Sequence, residues 1–124
     1  MSRARQRTGR VGEDLACAAL DGRGLAIVAR NCRTRAGEID AVALDGETLV
    51  FVEVKTMRTG SRSGPERPVL AVGPRKQLQI RRLARAWLAE NSAPRYGSIR
   101  FDVVGVSLDP AGSVVAMEHI PNAF

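Results

Sequence analysis

Apolar residues recur along this chain with two periods, one helical and one alternating. Val11, Leu15, Ala18 and Ala19 fall at helical spacing and stop at Gly22 and Gly24, which predicts a helix over roughly residues 11–20. Residues 25–30 read as a first strand, and Ala36-Gly37 turns the chain into a second over 38–44. Asp45-Gly46 signals a hairpin, because a type I′ turn needs positive φ at both central residues. A third strand over 48–56 is the most apolar segment of all. Pro74 suits the first turn of a second helix, whose apolar face is Ile80, Leu83, Ala84, Trp87 and Leu88 and which Asn91 and Pro94 end. Residues 99–108 and 114–120 complete the pattern as two strands around an Asp109-Pro110-Ala111-Gly112 turn. The order α-β-β-β-α-β-β predicts an α/β fold, a mixed sheet of about five strands with flanking helices.

The segments between these elements carry charge. Residues 1–10 hold Arg3, Arg5, Arg7 and Arg10 without an acid and read as a loose basic arm. Residues 58–68 (RTGSRSGPERP) read as a mobile basic loop. The 124 residues suffice for one domain over 1–124 and fall short of two. No apolar run exceeds about five residues, so neither a membrane span nor a secretory signal is expected. Two cysteines, Cys17 and Cys32, and one histidine, His119, make neither the usual zinc site nor a disulfide framework, so a reducing cytoplasm is the simplest home. Nineteen basic residues against thirteen acidic ones give a net charge of +6 and a pI near 10.6, which favours a polyanionic partner such as nucleic acid. Seventeen of the nineteen cations are arginine, and Lys55 and Lys76 are the two lysines. Aromatic residues are only 4%, which argues against a stacking platform for single strands.

Strand alternation supplies the candidate chemistry. On the third strand Phe51, Glu53 and Lys55 point one way, and Val50, Val52, Val54 and Thr56 the other. If Asp45-Gly46 is the two-residue loop, Leu44 pairs with Glu47, Asp40 with Phe51 and Glu38 with Glu53. Directly opposed residues share a face, so Asp40, Glu38, Glu53 and Lys55 converge. Two carboxylates about 6 Å apart at an effective dielectric of about 20 repel by roughly 3 kcal/mol. Such a face needs a cation or must stay protonated. Lys55 offsets one charge, and a hard divalent ion, Mg²⁺ or Mn²⁺, would offset the rest and set up hydrolysis of a phosphodiester. The plainer reading of Glu53 with Lys55 is an ion pair. Glu13 reads equally well as a first-turn acid complementing its helix dipole, Asp102 as a partner of Arg100 or Arg95, His119 as structural, and Cys17 and Trp87 as core.

The ordered set Gly37-Glu38-Ile39-Asp40, hairpin, Phe51-Val52-Glu53-Val54-Lys55-Thr56 resembles the Asp…Glu-x-Lys signature of restriction-endonuclease-like nucleases. With Gly12-Glu13-Asp14-Leu15-Ala16, Lys76, Arg100-Phe101-Asp102-Val103 and the run His119-Ile120-Pro121-Asn122-Ala123-Phe124, nearly the whole chain is similar to the YraN-like (UPF0102-type) family of small bacterial proteins, which is grouped with the archaeal Holliday-junction resolvases. The resemblance implies a restriction-endonuclease-like fold. It implies a Mg²⁺- or Mn²⁺-dependent endonuclease acting on DNA, branched or otherwise structured. Asp40 and Glu53 would be metal-binding carboxylates, Glu13 and the Val54 carbonyl further ligands, Lys55 the catalytic lysine, and Lys76 or Gln77 a helper touching phosphate or water. Resolvase relatives act as homodimers, so a homodimer is part of the same expectation. Ile39 stands where the superfamily often has proline. The rival expectation is a nucleic-acid-binding protein that retains the nuclease-like fold without catalysis.

Overall fold

A computed structural model describes residues 3–59 and 67–124. Helix α1 (Arg3–Gly22) leads into strands β1 (Ala26–Thr34), β2 (Gly37–Asp45) and β3 (Thr48–Arg58). A short 3-10 helix (Pro68–Ala71) and helix α2 (Pro74–Glu90) follow, then β4 (Ser98–Leu108) and β5 (Val114–Ile120). The five strands lie in sequence order, antiparallel except for β3 and β4, which run parallel. That parallel pair needs a crossover, and α2 provides it. The element order and the mixed sheet are those the hydrophobic pattern predicts.

Two details differ from expectation at the basic segments. Helix α1 begins at Arg3, so the segment expected to be a loose arm is helical from that residue. Of the expected loop over 58–68, Arg58 ends β3 and Pro68 opens the 3-10 helix; residues 60–66 lie outside the described residues.

The sheet separates two apolar cores. Val50, Val52 and Val54 of β3 meet Ala16, Cys17 and Leu20 of α1, together with Val104 and Val106 of β4. Leu49 and Phe51 meet Ile80, Leu83 and Trp87 of α2 on the opposite side. The alternation of β3 therefore fills both cores from one strand, as expected for a central strand covered on both faces. Trp87 packs edge-on against Phe51, with ring centroids 5.8 Å apart and planes at 77°. Asn91 ends α2 by donating both its backbone N–H and its side-chain Nδ2 to the Trp87 carbonyl.

Helix α1 approaches β3 closely at Gly12. A Cβ on that residue would lie 1.8 Å from Thr56 Oγ1. Gly9, one turn earlier, has nothing within 4 Å of the same position. Alanine gains about 1 kcal/mol over glycine in a helix interior, whereas overpacking costs about 1–3 kcal/mol. Urea unfolding is therefore expected to show Gly9→Ala as stabilising by up to about 1 kcal/mol and Gly12→Ala as destabilising by up to about 2 kcal/mol. Equal effects of the two would contradict the close approach.

Candidate functional site

The β2–β3 hairpin sets the site, and its register differs by one step from the sequence expectation. Leu44 pairs with Leu49 and Asp45 with Thr48, so the two loop residues are Gly46 and Glu47. Gly46 takes φ 60 and is the first central residue, the pattern of a type II′ turn. Phe51 consequently faces Val42, and the last ladder pair is Ala41 with Val52. One position further brings Asp40, rather than Glu38, alongside Glu53. Moving the loop by one residue changes each pairing by two, so the parity of the faces survives. Beyond that pair the ladder gives way to a side chain: the Val54 N–H donates to Asp40 Oδ2 at 2.8 Å.

The structure brings Glu13, Asp40, Glu53 and Lys76 together. Glu13 comes from α1 and hydrogen-bonds the Asp40 carboxylate. Glu53 hydrogen-bonds Asp40 from β3, and Lys76 Nζ from the first turn of α2 lies 3.5 Å from Glu53 Oε1. Burial raises the Glu53 carboxyl to about 7, with the Asp40 charge adding to the effect and Lys76 opposing it. Burial likewise raises Glu13 to about 7, helped by the charges of Asp40 and Glu38. Asp40 is raised as well, first by burial, while the Val54 N–H and Lys76 pull the other way. Protonated Glu13 and Glu53 can thus donate to one Asp40 carboxylate.

Other expected residues fall elsewhere. Lys55 is exposed and makes no ion pair or hydrogen bond among the described residues. The cation that offsets Glu53 is Lys76. Gln77 turns away from the carboxylates, its Nε2 donating to the Val72 carbonyl at 3.1 Å to secure the entry to α2. Glu38 is exposed at the mouth of a cleft of about 590 Å³ that Arg10, Glu13, Arg30 and Arg33 also line. Arg30 is neutralised there by Asp14.

This arrangement overturns the expected metal site. Among the described residues no group of three or more His, Cys, Asp or Glu side chains is placed to hold a metal ion. The physical reason lies in the partners already present. Asp40 accepts the Val54 N–H and is hydrogen-bonded by two glutamates, and Glu53 is held by Lys76. Crowded carboxylates can be relieved by a cation or by protons; here a lysine and raised carboxyls serve. The expected Mg²⁺ or Mn²⁺ cofactor on Glu13, Asp40, Glu53 and Val54 does not fit. The Asp…Glu-x-Lys nuclease built on it, and the description as a magnesium-dependent hydrolase, are corrected with it.

The positive charge is unevenly neutralised. Arg67 pairs with Glu118, and Arg100 pairs with Asp45 and Asp102. Helix α2 holds Arg75, Lys76, Arg81, Arg82 and Arg85, with no acid before Glu90. Arg75, Arg82 and Arg85 recur at i, i+7 and i+10 on its exposed face and pair with no acid among the described residues. They span about 15 Å of helix.

The sequence profile described as "Uncharacterised protein family UPF0102" matches residues 12–106. The chain belongs to the UPF0102 family. It is 50% identical over 116 residues to a UPF0102 protein of Streptomyces griseus subsp. griseus, covering 94% of each chain. It is 52% identical over 124 residues to one of a Parafrankia species (98% of this chain, 99% of the relative). A Geobacter metallireducens UPF0102 protein is 46% identical over 124 residues (100% of this chain, 97% of the relative). The UPF0102 family is related by homology to the restriction-endonuclease-like superfamily, and the α1-covered mixed sheet with its crossover helix agrees with that fold. No helix among the described residues is long and apolar enough to cross a membrane.

Proposed function

We propose that this UPF0102 protein is a DNA-binding module of nuclease-like fold that grips the phosphate backbone and does not cut it. The observation that carries the reading is the row of unneutralised guanidinium groups on α2, Arg75, Arg82 and Arg85. Three arginines elsewhere, Arg30, Arg67 and Arg100, pair with Asp14, Glu118, Asp45 and Asp102, whereas among the described residues no arginine of α2 pairs with an acid. An arginine fork matches phosphate geometry better than a point charge does. Three such forks along one helix would position a duplex without reading its bases. Lys55, exposed and on the β3 face that Glu53 shares, adds a further cation.

Fluorescence anisotropy with a labelled duplex and a four-way junction tests this. Binding is expected to persist in EDTA, and affinity is expected to fall steeply with salt. The triple variant Arg75→Ala/Arg82→Ala/Arg85→Ala is expected to lose about tenfold in affinity and about three units of the log–log salt slope. Salt-independent binding, or a triple variant that binds like the parent, would refute the reading.

A further inference from the structure

Arg81 differs from its neighbours on α2. Its guanidinium carbon lies 4.7 Å from the Phe101 ring centroid and 5.5 Å from that of Phe124. The two rings stack on each other at 5.2 Å with planes 16° apart. Phe101 also stacks on Phe51 of the core, 5.8 Å away. The segment after β5 is pinned by a hydrogen bond from the Ala123 N–H to the Phe101 carbonyl at 2.7 Å. A column of three rings thus runs outward from the core, and Arg81 lies over its outer two, nearer to Phe101 than to Phe124.

No acid among the described residues pairs with Arg81, although the residue is exposed. Among the described residues no hydrogen bond engages the Arg81 N–H donors, so the contact with the rings leaves them unspent. A free arginine loses considerable rotamer entropy when it takes a phosphate. An arginine already held on rings has lost part of that freedom beforehand. Arg85 lies one turn further along the same helix, within reach of the same anion.

We infer that Arg81 is a preordered phosphodiester anchor and that Phe124, together with the nearer ring of Phe101, is a positioning residue that orders it. This rests on the nucleic-acid reading above and deepens it, because it names one contact with the backbone and a residue that acts through that contact. Arg75, Arg82 and Arg85 present forks that must be ordered on binding, whereas Arg81 supplies one that is already held. Lysine at 81 keeps the charge but loses both the planar stack and the bidentate geometry. Leucine at 124 keeps apolar cover but removes the ring face.

Two measurements decide it. In the anisotropy assay Arg81→Lys and Phe124→Leu are each expected to weaken duplex binding about threefold, the size of an exposed cation–π contact. The double variant is expected to weaken it about threefold as well, since both changes remove one contact. A double variant weakened about ninefold, the product of independent effects, overturns the coupling. Single variants that bind like the parent overturn the anchor while leaving the wider reading intact. The second measurement needs no DNA. The Arg81 Nε–Hε resonance is expected to be sharp in the free protein, to broaden in Phe124→Leu, and to shift on titration with inorganic pyrophosphate. If the duplex fails to bind but that resonance shifts, the phosphate anchor stands and the DNA reading falls. If the resonance is broadened in the parent and unmoved by pyrophosphate, the anchor falls.

Discussion

Replacing Asp102 with alanine is expected to cost about 3–5 kcal/mol of folding stability, the range for removing one member of a buried charged set. Asp102 is the one charged residue described as fully buried, with 0% of its surface exposed. Arg100 reaches it through Nε at 2.9 Å and Nη2 at 3.2 Å, the Asn122 N–H through Oδ1 at 2.9 Å, and His119 Nε2 through Oδ2 at 2.8 Å. Arg23 Nη1 lies 2.7 Å from His119 Nδ1. A guanidinium only donates, so Nδ1 accepts and Nε2 carries the proton given to Asp102. Burial alone would raise the Asp102 carboxyl, but Arg100, the Asn122 N–H and His119 outweigh it and hold it below its usual range. Alanine would strand all of these donors at once, joining the end of α1, β4, β5 and the tail in one loss. Asp102→Asn, which keeps the size and some acceptors, is expected to lose less. Urea unfolding of both variants measures the difference, and a loss under about 1 kcal/mol for alanine would mean the donors find water instead.

Much of the fold is legible in the chain because its elements are punctuated by side chains with local effects. Pro74 and Asn91 bound α2 as expected, and alternation alone assigns Phe51 and Glu53 to one face of β3 and Val52 and Val54 to the other. The start of α1 is not legible, because its first turns are rich in arginine and offer no apolar period. The hairpin register slips because Gly46 serves either a type I′ or a type II′ turn, and only the backbone decides which. Asp40 and Glu53 share a face as strand alternation suggests, whereas the approach of Glu13 from α1 is a tertiary contact that no spacing along the chain encodes. Lys76 lies four residues before Ile80, so helical spacing aims it at the sheet, but its meeting with Glu53 depends on how α2 crosses; Lys55, on the same strand as Glu53, makes no ion pair with it. The Asp102 network is half visible, through Arg100 two residues away on the same face. Its other half needs the pairing of β4 with β5, in which His119 lies opposite Val104. The metal expectation fails at a fork that sequence cannot resolve. Repulsion among carboxylates demands compensation, but its form depends on a helix packed from elsewhere and on the proton affinity of buried groups.

That compensation predicts how stability responds to pH. The Glu53 carboxyl stands at about 7 in the folded protein against an ordinary 4.5, so between these values the folded chain holds a proton that the unfolded chain has released. The folded state then binds more protons, and stability falls as pH rises. The contribution is complete below about pH 4.5 and gone once the pH passes about 7. Glu13, raised to about 7, and Asp40, raised by burial, act with the same sign. Asp102 and Glu118, both lowered, act with the opposite sign, but only at pH values below the ordinary range of carboxyls. Glutamine at 53 mimics the protonated acid at every pH. Glu53→Gln is therefore expected to match the parent near pH 4.5 and to become more stable than it at pH 8. The linked free energy is at most about 3 kcal/mol, and roughly 2 kcal/mol is expected because Lys76 partly offsets the charge that glutamine removes. Urea unfolding of both proteins from pH 4.5 to pH 8 follows the divergence. Parallel curves would mean that Glu53 is ionised throughout, with Lys76 alone balancing it. A Glu53→Gln protein less stable than its parent at pH 8 would mean that the ion pair outweighs the crowding. Protons would then no longer be what relieves the carboxylates, and the physical ground for the misfit of a metal would go with them.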